Sequence, residues 1–355
     1  MLRTGAVLVA GIIGAVVLNA VLAEFIDDYV VRVINLCGVA IVLAVSLNVI
    51  NGLCGQFSLG HAGFMAIGAY VCSLFATTQR YYDAASAQYV SEPSLAARMA
   101  EMFGADLAAA GSEQLQSIAA WGFLPGLIAG GVVSALAGLV VGIPALRLRG
   151  DYLAIATLGF GEIVRVVITN IPQIGGATGL PGLPPLANTS WIFAVCVVCI
   201  VFSVNLQRST FGRALIAIRE NELAAEIMGV RIARMKVMAF IYGAFFAGVA
   251  GGLLAHLLQT ISPATFNFMK SIEVVVMLVL GGLGSLTGAV VGAIVLTVLP
   301  EALRDVEREV NLPGIRMVVY ALVLILLMIF RPQGIFGQRE LSLKLLRRVI
   351  PGGRK

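Results

Sequence analysis

The chain has 355 residues, of which 59% are hydrophobic and 12% charged, with a mean hydropathy of +0.97 and a formal net charge of +5. A water-soluble domain of this length needs a far more polar surface, so composition excludes that class and reads as an all-α polytopic membrane protein. The 40 glycines fit the same reading, because small residues let membrane helices approach closely.

About 20 apolar residues are needed to cross a bilayer as a helix. Stretches that meet or nearly meet this are 6–23, 31–50, 57–79, 121–144, 151–170, 191–206, 237–258 and 315–330. The first could instead be a signal peptide, since Arg3 precedes the apolar run and VLA precedes Glu24. Residues 80–120 form the largest extramembrane insert, acidic and Ala-rich with helical character, expected on the outer, periplasmic surface. Glu162 and Arg165 lie mid-span, three residues apart on one helical face. Ionised groups at the bilayer centre cost about 2.5–3.5 kcal/mol, so the two are expected to face the protein interior. Either they border a translocation route or they neutralise each other and fix packing, and the spacing favours the mutual pair.

The Gly- and Pro-rich stretch 173–190 reads as an irregular outer connection. Cys196 and Cys199 form a CxxC inside WIFAVCVVCIVF, where they read as small apolar membrane residues and not as a redox or zinc motif. Residues 271–300 are too long for one upright span and carry Gly281, Gly282 and Gly284 in their middle. They are expected to split there into two short membrane segments, as discontinuous helices do. About ten membrane segments result, with both termini on one side. If 207–236 is cytoplasmic, sixteen Arg and Lys residues fall on that side and seven on the other, which agrees with the positive-inside tendency. The expected organisation is a single membrane domain over 1–355. It has a membrane-spanning region at 6–330, the insert at 80–120, a cytoplasmic loop at 207–236 and a basic cytoplasmic tail at 331–355.

The loop is unlike its flanks. GRALIAIRENELAAEIMGVRIARMKVMAF, residues 212–240, is charged and helix-forming. Asn221 can cap a short helix, Glu222 sits in its first turn and Gly229 can end it. Leu223 with Ile227, and Ala224 with Met228, form an apolar strip, while Glu222 and Glu226 line another face. Arg219 and Arg231 could offset that like-charge pair, or a partner protein could. The strip suits a groove on another protein, although a plain solvated loop has the same composition. The glycine-rich turns at 55–63 and 281–284 fall where helices break, so Gly55, Gln56, Gly60, Gly281, Gly282 and Gly284 join Glu162 and Arg165 as translocation-pathway candidates. Gly284, Gly288 and Gly292 recur every four residues, as do Gly126 with Gly130, Gly138 with Gly142, and Gly248 with Gly252. Such stripes mark close helix packing. Glu273 reads as interfacial and His61 as a packed hydrogen-bonding residue; His256 lies too near the outer end to pair with His61, and neither histidine is assigned a catalytic role.

ENELAAEIMG (220–229) resembles the EAA-type loop of ABC importer permeases, with Glu222, Ala224, Ala225 and Gly229 in matching positions. GQFSLGHAGFMAIGAY (55–70), LRLRGDYLAIATLGFGEIVRVVITN (146–170), GGATGLPGLP (175–184), MLVLGGLGSLTGAVVGAI (277–294) and IFRPQGIFG (329–337) resemble permeases of branched-chain amino acid ABC importers, of the LivM type. The resemblance covers most of the chain and is weakest over 80–120. It implies a non-catalytic translocation subunit of the bacterial inner membrane, in contact with membrane lipid. Its implied partners are two ATP-binding subunits reached through the 212–236 loop, a second homologous permease and a periplasmic substrate-binding protein. The implied substrate is a branched-chain or similar apolar amino acid, with urea or short amides as the alternative. The GxxxxGK[ST] phosphate loop is missing from the sequence, so ATP is expected on partner subunits and no cofactor on this chain. An ion-coupled secondary transporter would want acidic or histidine relays on several spans, and a membrane enzyme a cluster of His, Asp or Ser at one depth. Neither pattern is evident.

Overall fold

The computed structural model describes residues 2–76, 79–83, 88–92, 112–145, 150–310, 314–331 and 334–337. Arg147, Arg149 and nearly all of the basic tail lie outside these residues, as does most of the insert. The long elements are helices: α1 (Leu2–Phe25), α2 (Asp28–Leu47), α3 (His61–Ala76), α4 (Ser112–Ala145), α5 (Asp151–Thr169) and α6 (Thr189–Arg208). Two short helices follow, α7 (Thr210–Glu220) and α8 (Glu222–Ile227). Then come α9 (Ile232–Leu258), α10 (Phe268–Gly281), α11 (Leu286–Val310) and α12 (Ile315–Phe330). A π-helical turn, Asn48–Leu53, prolongs α2.

Six of the described helical stretches are long and apolar enough to cross a membrane: Asp28–Leu53, Trp121–Pro144, Asp151–Thr169, Thr189–Arg208, Ile232–Leu258 and Leu286–Arg304. Leu8–Ala20 and α3 are apolar but shorter. The protein is therefore a mostly helical, multi-pass membrane protein. At 1.5 Å per residue, the 14 residues of α10 reach only about 21 Å, short of a bilayer core of about 30 Å.

Three expectations are corrected here. Within the insert, Gln79–Asp83 (β1) and Gln88–Glu92 (β2) pair antiparallel, so this part is a hairpin where helical character was expected. Tyr81, Tyr82, Tyr89 and Val90 are residues that favour a pleated ladder over a helix. The span expected at 57–79 starts only at His61, after an irregular stretch at 54–60. Residues 271–300 do break at their glycines, with Gly282 at φ +116° and Gly284 at φ +87°. Only the first half is short, because α11 runs on for 25 residues.

The connections sort to two ends. At one end lie the turn after α2, the α7–α8 loop, the α10–α11 break and residues 334–337, whose Ile335 amide donates to the Leu280 carbonyl at 2.8 Å. At the other, Leu180–Pro181 (β3) pairs antiparallel with Thr260–Ile261 (β4), and the Leu183 amide donates to the Gln259 carbonyl at 3.0 Å. The Tyr29 hydroxyl reaches Glu301, whose neighbour Arg304 lies 5.4 Å from the Tyr29 ring centre.

Packing is densest where α3, α4 and α9 cross. Lipid is as apolar as leucine, so helices in a bilayer gain from close backbone approach and not from leaving water. A Cβ added at Gly68 would fall 2.1 Å from the Gly248 carbonyl oxygen, and one at Gly248 would fall 2.3 Å from Ser134 Oγ. Ser134 Oγ donates to the Phe64 carbonyl at 2.9 Å, which fixes the register of α4 on α3. Cys196 donates its thiol to the Gly38 carbonyl at 2.9 Å, so the CxxC serves packing of α6 on α2. His61 bonds Ser46 Oγ at 2.9 Å, as a packed residue should.

Gly68→Val must push α3 off α9, at a cost of about 1–3 kcal/mol for overpacking. It should lower the melting temperature in detergent by about 5 °C. Gly159→Ala, whose added carbon meets nothing within 4 Å, should leave it unchanged. Thermal unfolding followed by size-exclusion chromatography checks both.

Candidate functional site

The α7–α8 loop is built from its own sequence. Ser209 caps α7 by accepting from the Gly212 amide at 3.1 Å, and Asn221 caps α8 by accepting from the Ala224 amide at 3.0 Å. The far end of α8 closes with two reversed bonds, Val230 N–H to the Ala225 carbonyl at 3.0 Å and Gly229 N–H to the Glu226 carbonyl at 2.9 Å. This closure needs a left-handed residue, and Gly229 supplies it at φ +84°. With both ends capped, six residues hold a helix that length alone would leave marginal.

α8 hides Ala225 and presents Leu223, Ile227 and Met228 outward, the last two 86% and 83% exposed. Ala224 and Glu226 are exposed beside them. The apolar strip expected from the sequence is thus present, and no element of the described chain covers it.

Charges moor the loop to the bundle. Lys236, almost fully buried on α9, donates to Glu222 at 2.7 Å. It is this lysine, and neither Arg219 nor Arg231, that answers Glu222. Arg219 instead donates through Nη2 to Glu220 at 2.7 Å and through Nη1 to the Gly52 carbonyl at 2.9 Å. Gly52 lies in the last turn of the π helix, one residue before its end at Leu53, where helix carbonyls lack intrahelical partners and favour a cation.

Two glycines make room for the guanidinium. A Cβ at Gly55 would fall 2.7 Å from Arg219 Cγ, and one at Gly284 would fall 2.6 Å from Arg219 Nη1. The Gly284 amide in turn donates to Asn48 Oδ1 at 3.0 Å. Arg219, the turn after α2 and the α10–α11 break therefore form one junction. It unites residues that the sequence placed in two groups, a loop and a set of pathway glycines. Asn48, Gly52 and Lys236 were missed. Asn48 and Gly52 meet partners far off in sequence, and Lys236 follows Arg231 and Arg234 closely enough to read as one more basic residue of the loop.

A cavity of about 230 Å³ opens beside the junction, lined by Gln56, Gly150, Arg219, Glu222 and Lys236 among others. Gln56 is buried with Oε1 unpartnered by protein, and Asn48 Nδ2, Ser58 Oγ and His61 Nδ1 share that condition. Cys54 sits just past the turn; burial, followed by the opposed fields of Lys236 and Glu222, pushes its thiol up to about 12.

The remaining candidates stand apart. Arg165 Nε donates to Glu162 at 2.7 Å, so the two neutralise each other along α5, and both are part-exposed instead of facing the interior. Gly60 lets α5 approach, since a Cβ there would fall 2.5 Å from the Thr157 carbonyl oxygen. Gly281 packs against α11 in the same way, with the Gly288 carbonyl oxygen 2.0 Å from its added Cβ position. Gly282 lies against the backbone of Gly337. No group of three His, Cys, Asp or Glu able to hold a metal occurs among the described residues.

A multi-pass membrane protein with a capped helix exposed at one end, moored by charge to two helix breaks, is the class these features define. The chain belongs to the family described as branched-chain amino acid transport system, permease component, whose profile matches residues 29–329. It is 33% identical over 340 residues to the high-affinity branched-chain amino acid transport system permease protein LivM of Salmonella typhimurium, covering 86% of this chain and 69% of that protein. Identity to LivM of Escherichia coli K12 is 33% over 350 residues, 89% of this chain and 72% of the relative. The permease protein LivH of Salmonella typhimurium matches more narrowly, at 32% over 143 residues, 40% of this chain and 45% of LivH. No solved structure matches the chain.

Arg219→Ala should loosen the loop from the turn after α2 and uncover Cys54. In the native chain a thiol held near 12 is almost wholly protonated at pH 8, so maleimide labelling of Cys54 should be slow. The Arg219→Ala chain should label about tenfold faster, equivalent to about 1.4 kcal/mol of lost closure. Mass spectrometry of the peptide containing Cys54 measures this.

Proposed function

We propose that this chain is a membrane subunit of an ATP-binding-cassette importer and helps form the translocation pathway for branched-chain amino acids. It works without catalysis of its own in the bacterial inner membrane. The partners in this reading are a second homologous permease, two ATP-binding subunits and a periplasmic substrate-binding protein. The family profile and the LivM relatives support the substrate and the transport role. The weaker likeness to LivH supports a paired permease.

One observation carries the coupling. α8 offers Leu223, Ile227 and Met228 outward while it is tied to the bundle inward through Glu222–Lys236 and, three residues upstream of Glu222, Arg219–Gly52. In this reading an ATP-binding subunit grips the outward strip. Movement of α8 then reaches the turn after α2 and the α10–α11 break together, because Arg219 touches both. Gly55, Gln56, Gly281, Gly282 and Gly284 would border the cytoplasmic gate, with Gly60 behind them and Glu162–Arg165 further along. Four buried polar atoms near the turn lack protein partners, each a cost of about 1–3 kcal/mol, which suits a segment that re-pairs in another state. The end bearing α8 is the cytoplasmic one, with both termini there and the β1–β2 hairpin outside. The distribution of Arg and Lys supports that orientation.

The test replaces Leu223 and Ile227 with Asp. Both are exposed, so the fold should persist while capture of the ATP-binding subunits in mild detergent is lost and leucine uptake falls at least about tenfold. Leucine uptake by the chain reconstituted without any ATPase would overturn the importer reading.

A further inference from the structure

At the end opposite α8 a second cleft of about 200 Å³ runs between α2, α9, α10 and α11, with Met65 of α3 in its wall. Its walls are apolar and belong to the interior: Val39, Met65, Val274, Met277 and Leu296 are each exposed by 2% or less. Its mouth is charged. Lys270 donates to Glu273 at 2.9 Å there, and Glu301 accepts the Tyr29 hydroxyl. Thr297 lines the same cleft with a buried Oγ1 that has no protein partner.

We infer that this cleft is a binding subsite for an aliphatic amino acid in its zwitterionic form. The inference rests on the transport reading above and deepens it, since nothing else places the substrate on this chain. Three features select the ligand. An apolar cavity of roughly 150 Å³ already accepts a benzene-sized molecule, while drug-sized ligands need about 300–1,000 Å³, so this cleft takes a small one. Its buried walls reward an aliphatic side chain at roughly 25 cal/mol per Å² of apolar surface. Its mouth holds one ammonium and two carboxylates, which answer a carboxylate and an α-ammonium group.

Lys270 has three N–H donors and spends one on Glu273, leaving two for the ligand's carboxylate. Glu301 accepts the Tyr29 hydroxyl and lies 3.9 Å from the Arg304 guanidinium, and its remaining lone pairs can receive the ligand's ammonium. A lipid chain would fill the walls equally well but would leave the mouth unused. A dicarboxylic amino acid would bury a second charge against leucine and methionine, a cost of several kcal/mol. Ligands of aliphatic type are therefore selected by the walls, and amino acids among them by the mouth.

Thr297→Cys places a thiol on the wall, and Leu36→Cys places one on the neighbouring wall in case the first chain does not assemble. In membrane vesicles carrying the whole transporter, L-leucine at four times its dissociation constant should slow methanethiosulfonate labelling of either thiol about fivefold. L-aspartate should not, and adding Lys270→Gln should abolish the protection. The unsubstituted chain, whose five cysteines are buried, sets the background. Absence of leucine protection in vesicles that still take up leucine with ATP overturns the subsite and leaves the transport reading intact. Protection by decanoate but not leucine overturns it in favour of an acyl chain. Absence of ATP-driven leucine uptake by the unsubstituted transporter overturns the transport reading itself.

Discussion

The contact on which the end bearing α8 depends is the guanidinium of Arg219 lodged between two broken helices. It satisfies a carbonyl at Gly52 that the end of the π turn leaves without a helical partner. Neither a lysine nor a longer backbone path would serve as well. The planar fork lets one nitrogen reach Gly52 while another reaches Glu220, so the residue is pinned at two points. The fit demands the absence of side chains at Gly55 and Gly284, both of which also hold positive φ. Geometry and sterics thus single out glycine twice at this one junction.

The rest of the bundle divides around that junction. α3, α4 and α9 meet through Gly68, Gly130, Gly248 and Gly251, so closely that backbone touches backbone. Such a contact is stiff, because any added carbon would clash. α10 differs. It is short, it begins and ends in irregular backbone, and it carries one end of the charged cleft and one side of the Arg219 junction. A close-packed trio thus stands beside a short helix flanked by irregular backbone.

Much of this was legible in sequence where the signal is local. Asn221, Glu222 and Gly229 mark the ends of α8 through capping rules that act over four residues, and the apolar strip follows from i to i+4 spacing. Glu162 and Arg165 pair because they are three apart on one helix. The α10–α11 break was readable from its glycines. Long-range partnerships were not. Lys236 lies 14 residues from Glu222 and meets it only because the Gly229 turn folds α9 back. Arg219 is 167 residues from Gly52. Gly55 and Gly284 read as exposed backbone, while the structure makes them notches for a side chain. The β1–β2 hairpin was missed because alanines nearby suggested helix, whereas the tyrosines of the two strands decide the local conformation.

The two faces of α8 differ in kind, and this bears on the coupling role proposed for it. Inward, its charges are spent within the chain: Glu222 on Lys236, and Arg219 just upstream on Glu220 and Gly52. Outward, what remains is apolar, with Glu226 at the side near a polar hollow lined by Arg231 and Val230. An apolar face binds a partner without fixing direction, because the hydrophobic effect is non-directional. A hydrogen-bonded charge fixes direction but would be weakened by water at an open surface. Apolar grip outside and charged mooring inside is the arrangement in which each interaction sits where the local dielectric favours it. In the importer reading, a push on the strip would arrive at both helix breaks through the Arg219 contacts with Gly52 and Gly284.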